Sequence, residues 1–348
     1  MGNINNVNLI AGQNNVGKTA LLEAIFLHEG SSNPQLSMRI NNFRGLESIV
    51  VEFGYGSQKP FDSIFYDLDN TQEIEIASRN ERNKEKLLKI RLSGRKQKFN
   101  KRKGKMRASS KRIEDSSSWD ISETNYIPAL DFEETLNGHK TQYQMRFTPE
   151  GIEINRPPQA EYPTFFIPSR RFTSLKEDAK LFGKIDQTNY SHIEKILDIL
   201  KLVDSRLKRI SVVPVGDDVT IHGDIGLNRS IPLPLMGEGL NRLNSILLRI
   251  ANAENGVVLI DEIETGFHFS ILEDIWRVIQ EAVNTFNVQI FATTHSFECI
   301  KAAHTVFSKC DDYKFSLHRL YRIDETVQVK TLSNLQLETA ISANLEVR

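Results

Sequence analysis

Cysteine is nearly missing: Cys299 and Cys310 are the only two in 348 residues. Two thiols cannot build a disulfide framework, and these two lack Cys-x-x-Cys spacing, so small secreted scaffolds and zinc-ribbon modules are excluded. No apolar run approaches the roughly 18–20 residues that span a bilayer. The first residues, Met1 to Asn8, are polar and Asn-rich. They lack the basic-then-apolar order of a signal peptide, so the expected address is the cytoplasm, with no membrane partner. Two close acidic pairs could tempt a metal assignment. Asp67 with Asp69, and Asp311 with Asp312, read as turn residues rather than as a metal centre.

The remaining composition, 39% hydrophobic and 26% charged, is that of a globular protein of one to two domains. Charge is unevenly spread. Residues 79–112 hold 16 Lys/Arg against 2 Glu, a local +14 in a chain whose net charge is −1. From Arg95 to Arg112 the stretch has no apolar periodicity, and Ser109–Ser118 extends it as low-complexity sequence.

The sequence opens with an apolar strand (Val7–Ala11), a Gly-rich turn and a helix to about His28. Alternation at Ile74 to Ile76, and at Leu88, Ile90 and Leu92, predicts strands. Further strands are expected at Gln142–Phe147, Gly151–Ile154 and Tyr162–Ile167. Helices fit Leu175–Ile185 and Ser191–Leu202, with short strands near Ile210–Val215 and Val219–Ile221. After Met236 a helix lines up Leu240, Leu243, Leu247 and Ile250. Val257–Ile260 has the wholly apolar character of a strand buried on both faces. A helix (Ser270–Asn284), a strand (Val288–Ala292) and another helix follow, then a hairpin of Ser316–Ile323 with Thr326–Leu332. This alternation predicts an α/β fold with a mixed sheet and flanking helices.

Residues 12–19 read Gly12-Gln13-Asn14-Asn15-Val16-Gly17-Lys18-Thr19, a full phosphate loop. Its glycines let successive backbone N–H groups of Gly12, Asn14, Asn15, Val16, Gly17, Lys18, Thr19 and Ala20 face one anion at a helix N-terminus. Lys18 can reach β- and γ-phosphates, and the Thr19 hydroxyl can ligate Mg²⁺. The apolar strand before Asp261 and Glu262 places the first carboxylate at the Mg²⁺ shell. The second is one residue further, where it can polarise an attacking water. The strand Val288–Ala292 leads through Thr293-Thr294 to His295, in reach of a γ-phosphate. Expected catalytic residues are therefore Glu262, His295 and Lys18, with Thr19 and Asp261 as metal ligands.

Together with Leu235-Met236-Gly237-Glu238-Gly239-Leu240, these motifs resemble the ATP-binding-cassette ATPases of the SMC, RecF and OLD group. The segment Asp261-Glu262-Ile263-Glu264-Thr265-Gly266-Phe267-His268 resembles in particular the single-head bacterial members labelled "AAA family ATPase" (AAA15-like). The resemblance runs from Val7 to about Ala303. It implies a P-loop NTPase of the ABC-ATPase head type, with ATP and Mg²⁺ as cofactors. One head is expected across 1–348, with 79–125 a basic, mobile insertion and 170–235 part of a helical lobe. It also implies a homodimer sandwiching two ATPs, Gly237, Glu238 and Gly239 completing the partner's site. Thr265–His268 takes the place of the loop that communicates between heads.

Two departures from that pattern shape further expectations. Members of the group carry a strand with an Asn-Phe-Arg motif before the loop strand. Here only six residues precede Val7, and Asn42-Phe43-Arg44 lies downstream. Val7–Ala11 is thus expected to be an unsupported edge, unless a start codon is placed too late or another segment fills the gap. The nuclease branch continues into a Toprim domain, whereas 53 residues follow His295, so no nuclease is expected in this chain.

The basic segment could bind DNA or RNA phosphates, be a solvated insertion, or face an acidic protein partner. With only Phe99 available to stack, base reading is not expected. The leading functional expectation is ATP binding and hydrolysis that drives dimerisation and controls a nucleic-acid transaction in phage defence or repair. A separately encoded nuclease or other effector would act beside it. The alternatives are a slow nucleotide-dependent switch regulating a protein partner without nucleic acid, and a transporter subunit, which the missing signature serine disfavours.

Overall fold

A computed structural model describes residues 1, 4–45, 61–80, 84–97, 125–148, 151–155, 157–158, 162–169, 174–216, 218–310, 312–343, 345 and 347. The Ser-rich stretch and the basic residues from 98 onward lie outside the described residues. The chain forms two compact units, one of Met1–Gly30 with Ala160–Arg348 and one of Ser31–Gln159.

The first unit starts with strand β1 (Val7–Gly12) and helix α1 (Lys18–Glu29). The chain then passes into the second unit, with helix α2 (Leu36–Phe43) and strands β2 (Ile74–Arg79), β3 (Glu85–Gln97), β4 (Asn125–Leu136), β5 (His139–Thr148) and β6 (Gly151–Asn155). These strands make an antiparallel meander in sequence order. Its buried face is lined by Leu88, Ile90, Leu130, Phe132, Tyr143 and Met145. Within the basic segment, β3 is therefore ordered strand. Lys89 pairs with Glu73 and Glu75 at 3.0 and 2.8 Å, Arg91 with Glu73 at 3.1 Å, and Lys86 with Glu134 at 3.7 Å. Asp69 accepts from the Thr71 amide and hydroxyl, as a turn residue does.

Back in the first unit come β7 (Thr164–Ile167), α3 (Leu175–Thr188), α4 (Tyr190–Leu200), β8 (Arg209–Val215), β9 (Asp218–Asp224), β10 (Ile231–Pro232) and α5 (Glu238–Asn252). They are followed by β11 (Val257–Ile260), α6 (Leu272–Phe286), β12 (Gln289–Thr294), α7 (Phe297–Phe307), β13 (Phe315–Ile323), β14 (Thr326–Leu332) and α8 (Asn334–Ser342). The main sheet has the order β14-β13-β1-β12-β11-β7. Its inner strands are parallel, and only the edge strand β14 runs antiparallel to its neighbour. Every residue of β1 and β11 is buried. Because successive side chains point to opposite faces, both faces of the sheet are covered, which explains the unbroken apolar runs.

Strand β1 is not an edge. It pairs with β12 on one side and with β13 on the other, Val7 opposite Phe315 and Ala11 opposite Arg319. The gap foreseen beside it is filled by another segment, the hairpin β13–β14. The flanking helices follow their apolar stripes. In α6, Leu272, Ile275, Trp276, Ile279, Val283 and Phe286 recur at helical spacing and are buried. The indole N–H of Trp276 donates to the Cys299 carbonyl at 3.2 Å. Strands β8, β9 and β10 form a small antiparallel sheet beside α3. Segment 170–235 thus contains strands as well as helices.

The sheet also buries a histidine. His318 of β13 is fully enclosed, with Nδ1 2.9 Å from Thr331 Oγ1 and Nε2 3.3 Å from Asn8 Oδ1. Burial lowers its pKa to about 4, aided by the positive N-terminus. Between about pH 4 and 6.5 the unfolded chain therefore binds a proton that the folded chain refuses, so stability falls as pH drops through that window. The expected loss reaches about 3 kcal/mol. Urea unfolding at pH 7 and pH 5 checks this: His318→Gln should show a flatter pH dependence, and equal slopes would reject the assignment.

Candidate nucleotide-binding site

The phosphate loop joins the C-terminal end of β1 to α1, where ligands bind in open parallel sheets. Two glycines have no substitute. A Cβ on Gly12 would lie 2.7 Å from the Leu320 carbonyl oxygen of β13, so the loop can leave the sheet here only without a side chain. Gly17, the residue before α1, has φ +99°, in the left-handed region. Val16 turns inward and is buried, while Gln13, Asn14 and Asn15 are exposed on the crest. Lys18 Nζ donates to the carbonyls of Gly12 at 2.7 Å and Gln13 at 3.0 Å, which curls the loop around its own ammonium. Partial burial lowers the Lys18 pKa, and the nearby carboxylates of Glu262, Asp261 and Glu264 oppose that shift. Thr19 and Ala20 form the exposed first turn of α1.

The acid-ended strand meets this turn. Thr19 Oγ1 lies 3.1 and 3.3 Å from the two oxygens of Asp261, which is buried. Thr293 Oγ1 donates to Asp261 Oδ1 at 2.7 Å and accepts from the Glu262 amide at 2.7 Å. One hydroxyl from the next strand therefore orients both carboxylate-bearing residues. A carboxylate and a hydroxyl in contact are hard oxygen donors of the kind Mg²⁺ takes, with phosphate and water for its other positions. The residues fit that ion.

Glu262 has φ +48°, an uncommon conformation for a residue with a side chain. It costs on the order of 1–3 kcal/mol and persists only where its surroundings fix it. They do so here. Thr293 holds the amide, and the Glu262 carbonyl accepts from the Thr265 amide at 3.0 Å and from Arg242 Nη2 at 3.2 Å. The carboxylate is thereby turned out of the strand and is partly exposed.

His295 follows β12 and is half exposed. Its amide donates to Glu264 Oε1 at 3.0 Å, and its ring Nδ1 lies 3.2 Å from the same oxygen. Gly237, Glu238 and Gly239 make none of these contacts. They open α5, where the Cβ position of Gly239 is 3.5 Å from the Phe267 ring and 3.7 Å from the Gly266 carbonyl. The start of α5 thus rests on the Thr265–His268 segment. Three contributors escaped the sequence reading. Thr293 was visible only as half of a Thr-Thr pair before His295. Glu264 stands inside the Asp261–His268 motif, where the sequence alone gives it no partner. Arg242, a charge between Leu240 and Leu243 on a buried helix face, was the clearest available signal.

A phosphate loop after a central parallel strand, with an Asp-Glu pair closing the neighbouring strand but one, defines a P-loop ATPase. The chain belongs to the family described as "AAA domain, putative AbiEii toxin, Type IV TA system", whose model matches residues 7–299. It is similar to an "ATP/GTP phosphatase" of Helicobacter pylori, at 23% identity over 95% of this chain and 91% of that protein. A segment of 65 residues is 42% identical to "Uncharacterized protein MJECL11" of Methanocaldococcus jannaschii, covering 19% of this chain and 57% of that one. Among solved structures it is similar to an SMC head bound to the C-winged helix domain of ScpA (TM-score 0.46, 11% identity, 96% of this chain and 91% of that one). The SMC head domain from Thermotoga maritima matches with TM-score 0.37, 11% identity, and coverage of 94% and 90%. Among the described residues no helix is long and apolar enough to cross a membrane.

Proposed function

We propose that the chain hydrolyses ATP at the Lys18–Asp261–Glu262–His295 cluster and that two copies enclose the nucleotide between them. The observation that carries the hydrolytic part is the fixed left-handed turn at Glu262, which presents a carboxylate beside the Thr19–Asp261 pair. In this reading Lys18 and the amides of Gly12 and of Asn14 to Ala20 bind the phosphates, and Thr19 with Asp261 holds Mg²⁺. The ion, when bound, neutralises charge on the β- and γ-phosphates. Glu262 takes the proton of the attacking water, and His295 steadies the γ-phosphate. The name of the Helicobacter relative supports trying GTP beside ATP as substrate.

The enclosing dimer is supported by the start of α5. Gly237–Gly239 opens a helix whose N-terminal dipole suits a phosphate, and the apolar side chains of Leu235 and Phe269 stand 77% and 68% exposed near it. ATP added to Glu262→Gln should give dimers by light scattering, and Gly239→Leu in that background should abolish them. A Cβ at Gly239 has ordinary contact room, so Gly239→Ala should still dimerise. Strictly monomeric protein with ordinary turnover refutes the dimer.

The nucleic-acid transaction beside a separate effector, in defence or repair, belongs to this proposal and is supported by the charge of the basic segment. Arg79 is already paired with Glu85, Lys86 with Glu134, Lys89 with Glu73 and Glu75, and Arg91 with Glu73, so phosphate contact falls chiefly to the others. Turnover stimulated by duplex DNA, lost with rising salt, is the expected result. A family description that includes a toxin–antitoxin toxin is in keeping with a defence role.

A further inference from the structure

Two buried charged atoms beside the hydrolytic cluster have no hydrogen-bond partner among the described residues: Arg242 Nε and Glu264 Oε2. They are opposite in sign. Arg242 is 6% exposed and lies one turn into α5, three residues after Gly239. Burial disfavours its charge, and of the surrounding carboxylates that of Glu264 offsets this most, ahead of Glu262, Glu238 and Asp261. Its aliphatic stem packs over the Gly266 backbone, the Cβ position there being 3.1 Å from Arg242 Cδ. Glu264 in turn spends its other oxygen, Oε1, on both the amide and the ring of His295.

An unpaired buried donor and an unpaired buried acceptor each carry a desolvation cost that one contact between them would remove. A carboxylate oxygen 3.2 Å from Nδ1 favours a proton on that nitrogen and leaves the Nε2 edge of the ring turned away from the carboxylate.

We propose that Arg242 and Glu264 are a positioning pair that couples the start of α5 to His295: Glu264 sets the ring's tautomer and aim, and Arg242 holds Glu264 according to the placement of the Gly237–Gly239 turn. The pair acts through His295 and through the Glu262 carbonyl that Arg242 also holds. The functional half of the inference rests on the proposed role of His295, while its structural half does not.

The test uses full-length protein labelled with ¹⁵N-histidine, its His295 signal assigned by loss in His295→Gln. Wild type should show the Nδ1–H tautomer, whereas Glu264→Ala and Arg242→Met should move His295 toward the Nε2–H form preferred in water. With Mg²⁺ and ATP, both variants should lose about 10- to 100-fold in kcat while KM changes little, as expected from a misaimed group. Glu264→Gln, which keeps an acceptor oxygen for Nδ1–H, should recover part of the loss. A His295 signal unmoved in either variant overturns the coupling, and so does a moved signal with full kcat. Turnover of Glu262→Gln is read in parallel: if that variant is fully active the hydrolytic assignment fails, yet the tautomer result still decides the coupling.

Discussion

Glu262→Gln binds ATP with near wild-type affinity and turns it over about 10²- to 10⁴-fold more slowly, the range a positioned general base supplies. The reason lies in how little else the substitution disturbs. The Glu262 backbone is held by the Thr293 hydroxyl, the Thr265 amide and Arg242, none of which bonds the carboxylate as its main partner. Among the described residues the side chain accepts one hydrogen bond, a long one of 3.4 Å from Thr265 Oγ1, which an amide oxygen can also accept. Geometry therefore survives, and only the capacity to take a proton is lost. Lys18→Ala should behave differently, because Nζ sits inside the loop against the Gly12 and Gln13 carbonyls and is the one side-chain cation of the loop. Its removal should weaken nucleotide binding itself. Steady-state hydrolysis combined with equilibrium nucleotide titration separates the two effects. Unchanged turnover in Glu262→Gln removes that residue from the chemistry.

How much of this was readable beforehand depends on the range of the interactions involved. The phosphate loop and the Asp261-Glu262 strand end are local: a few consecutive residues carry both the conformation and the chemistry. The hairpin of β13 with β14 was also legible, since alternating residues flank a short turn. Its place against β1 was not, because the pairing of Val7 with Phe315 joins opposite ends of the chain and is decided by tertiary packing. The resemblance pointed to a strand before Val7, yet the sheet closes that side with a late segment running parallel. Strand β4 was missed although Leu130 and Phe132 alternate with Asp131 and Glu133. Proline is unusual inside a paired strand, yet Pro128 takes its place in the ladder opposite Gly94. Arg242 shows the same limit at the site. A charge amid leucines announces burial, but its partners at Glu262 and Gly266 appear only once α5 is set against the turn after β11.

The placement of α5 also rests on a second buried charge, and breaking it should give the largest loss of stability. Arg249, 2% exposed, donates through Nη1 to Asp178 Oδ1 of α3 at 2.7 Å, and Asp178 is equally enclosed. Ser245 completes the cluster: its hydroxyl donates to Asp178 Oδ1 at 3.1 Å and accepts from Arg249 Nη1 at 2.7 Å. Glu177, more exposed, lies 3.4 Å from Nη2. Removing one partner strands the other charge in the interior, at a cost of about 3–5 kcal/mol. Asp178→Ala should therefore lower Tm by on the order of 10 °C, given the size of this unit. Replacing both partners with apolar residues of similar volume, Asp178→Leu with Arg249→Met, removes the stranded charge and should recover most of that loss. Asp178→Leu alone, which refills the volume but still leaves Arg249 without Asp178, distinguishes this from simple cavity formation: it should stay destabilised in thermal denaturation, whereas a mere cavity would be repaired by it. Helix α5 carries Gly237–Gly239 at its start, Arg242 one turn in and Arg249 near its end. Loosening its anchor to α3 should thus reach the nucleotide cluster too. Turnover in Asp178→Ala, measured well below its Tm, should fall further than nucleotide affinity does, and should return in the double variant along with the stability.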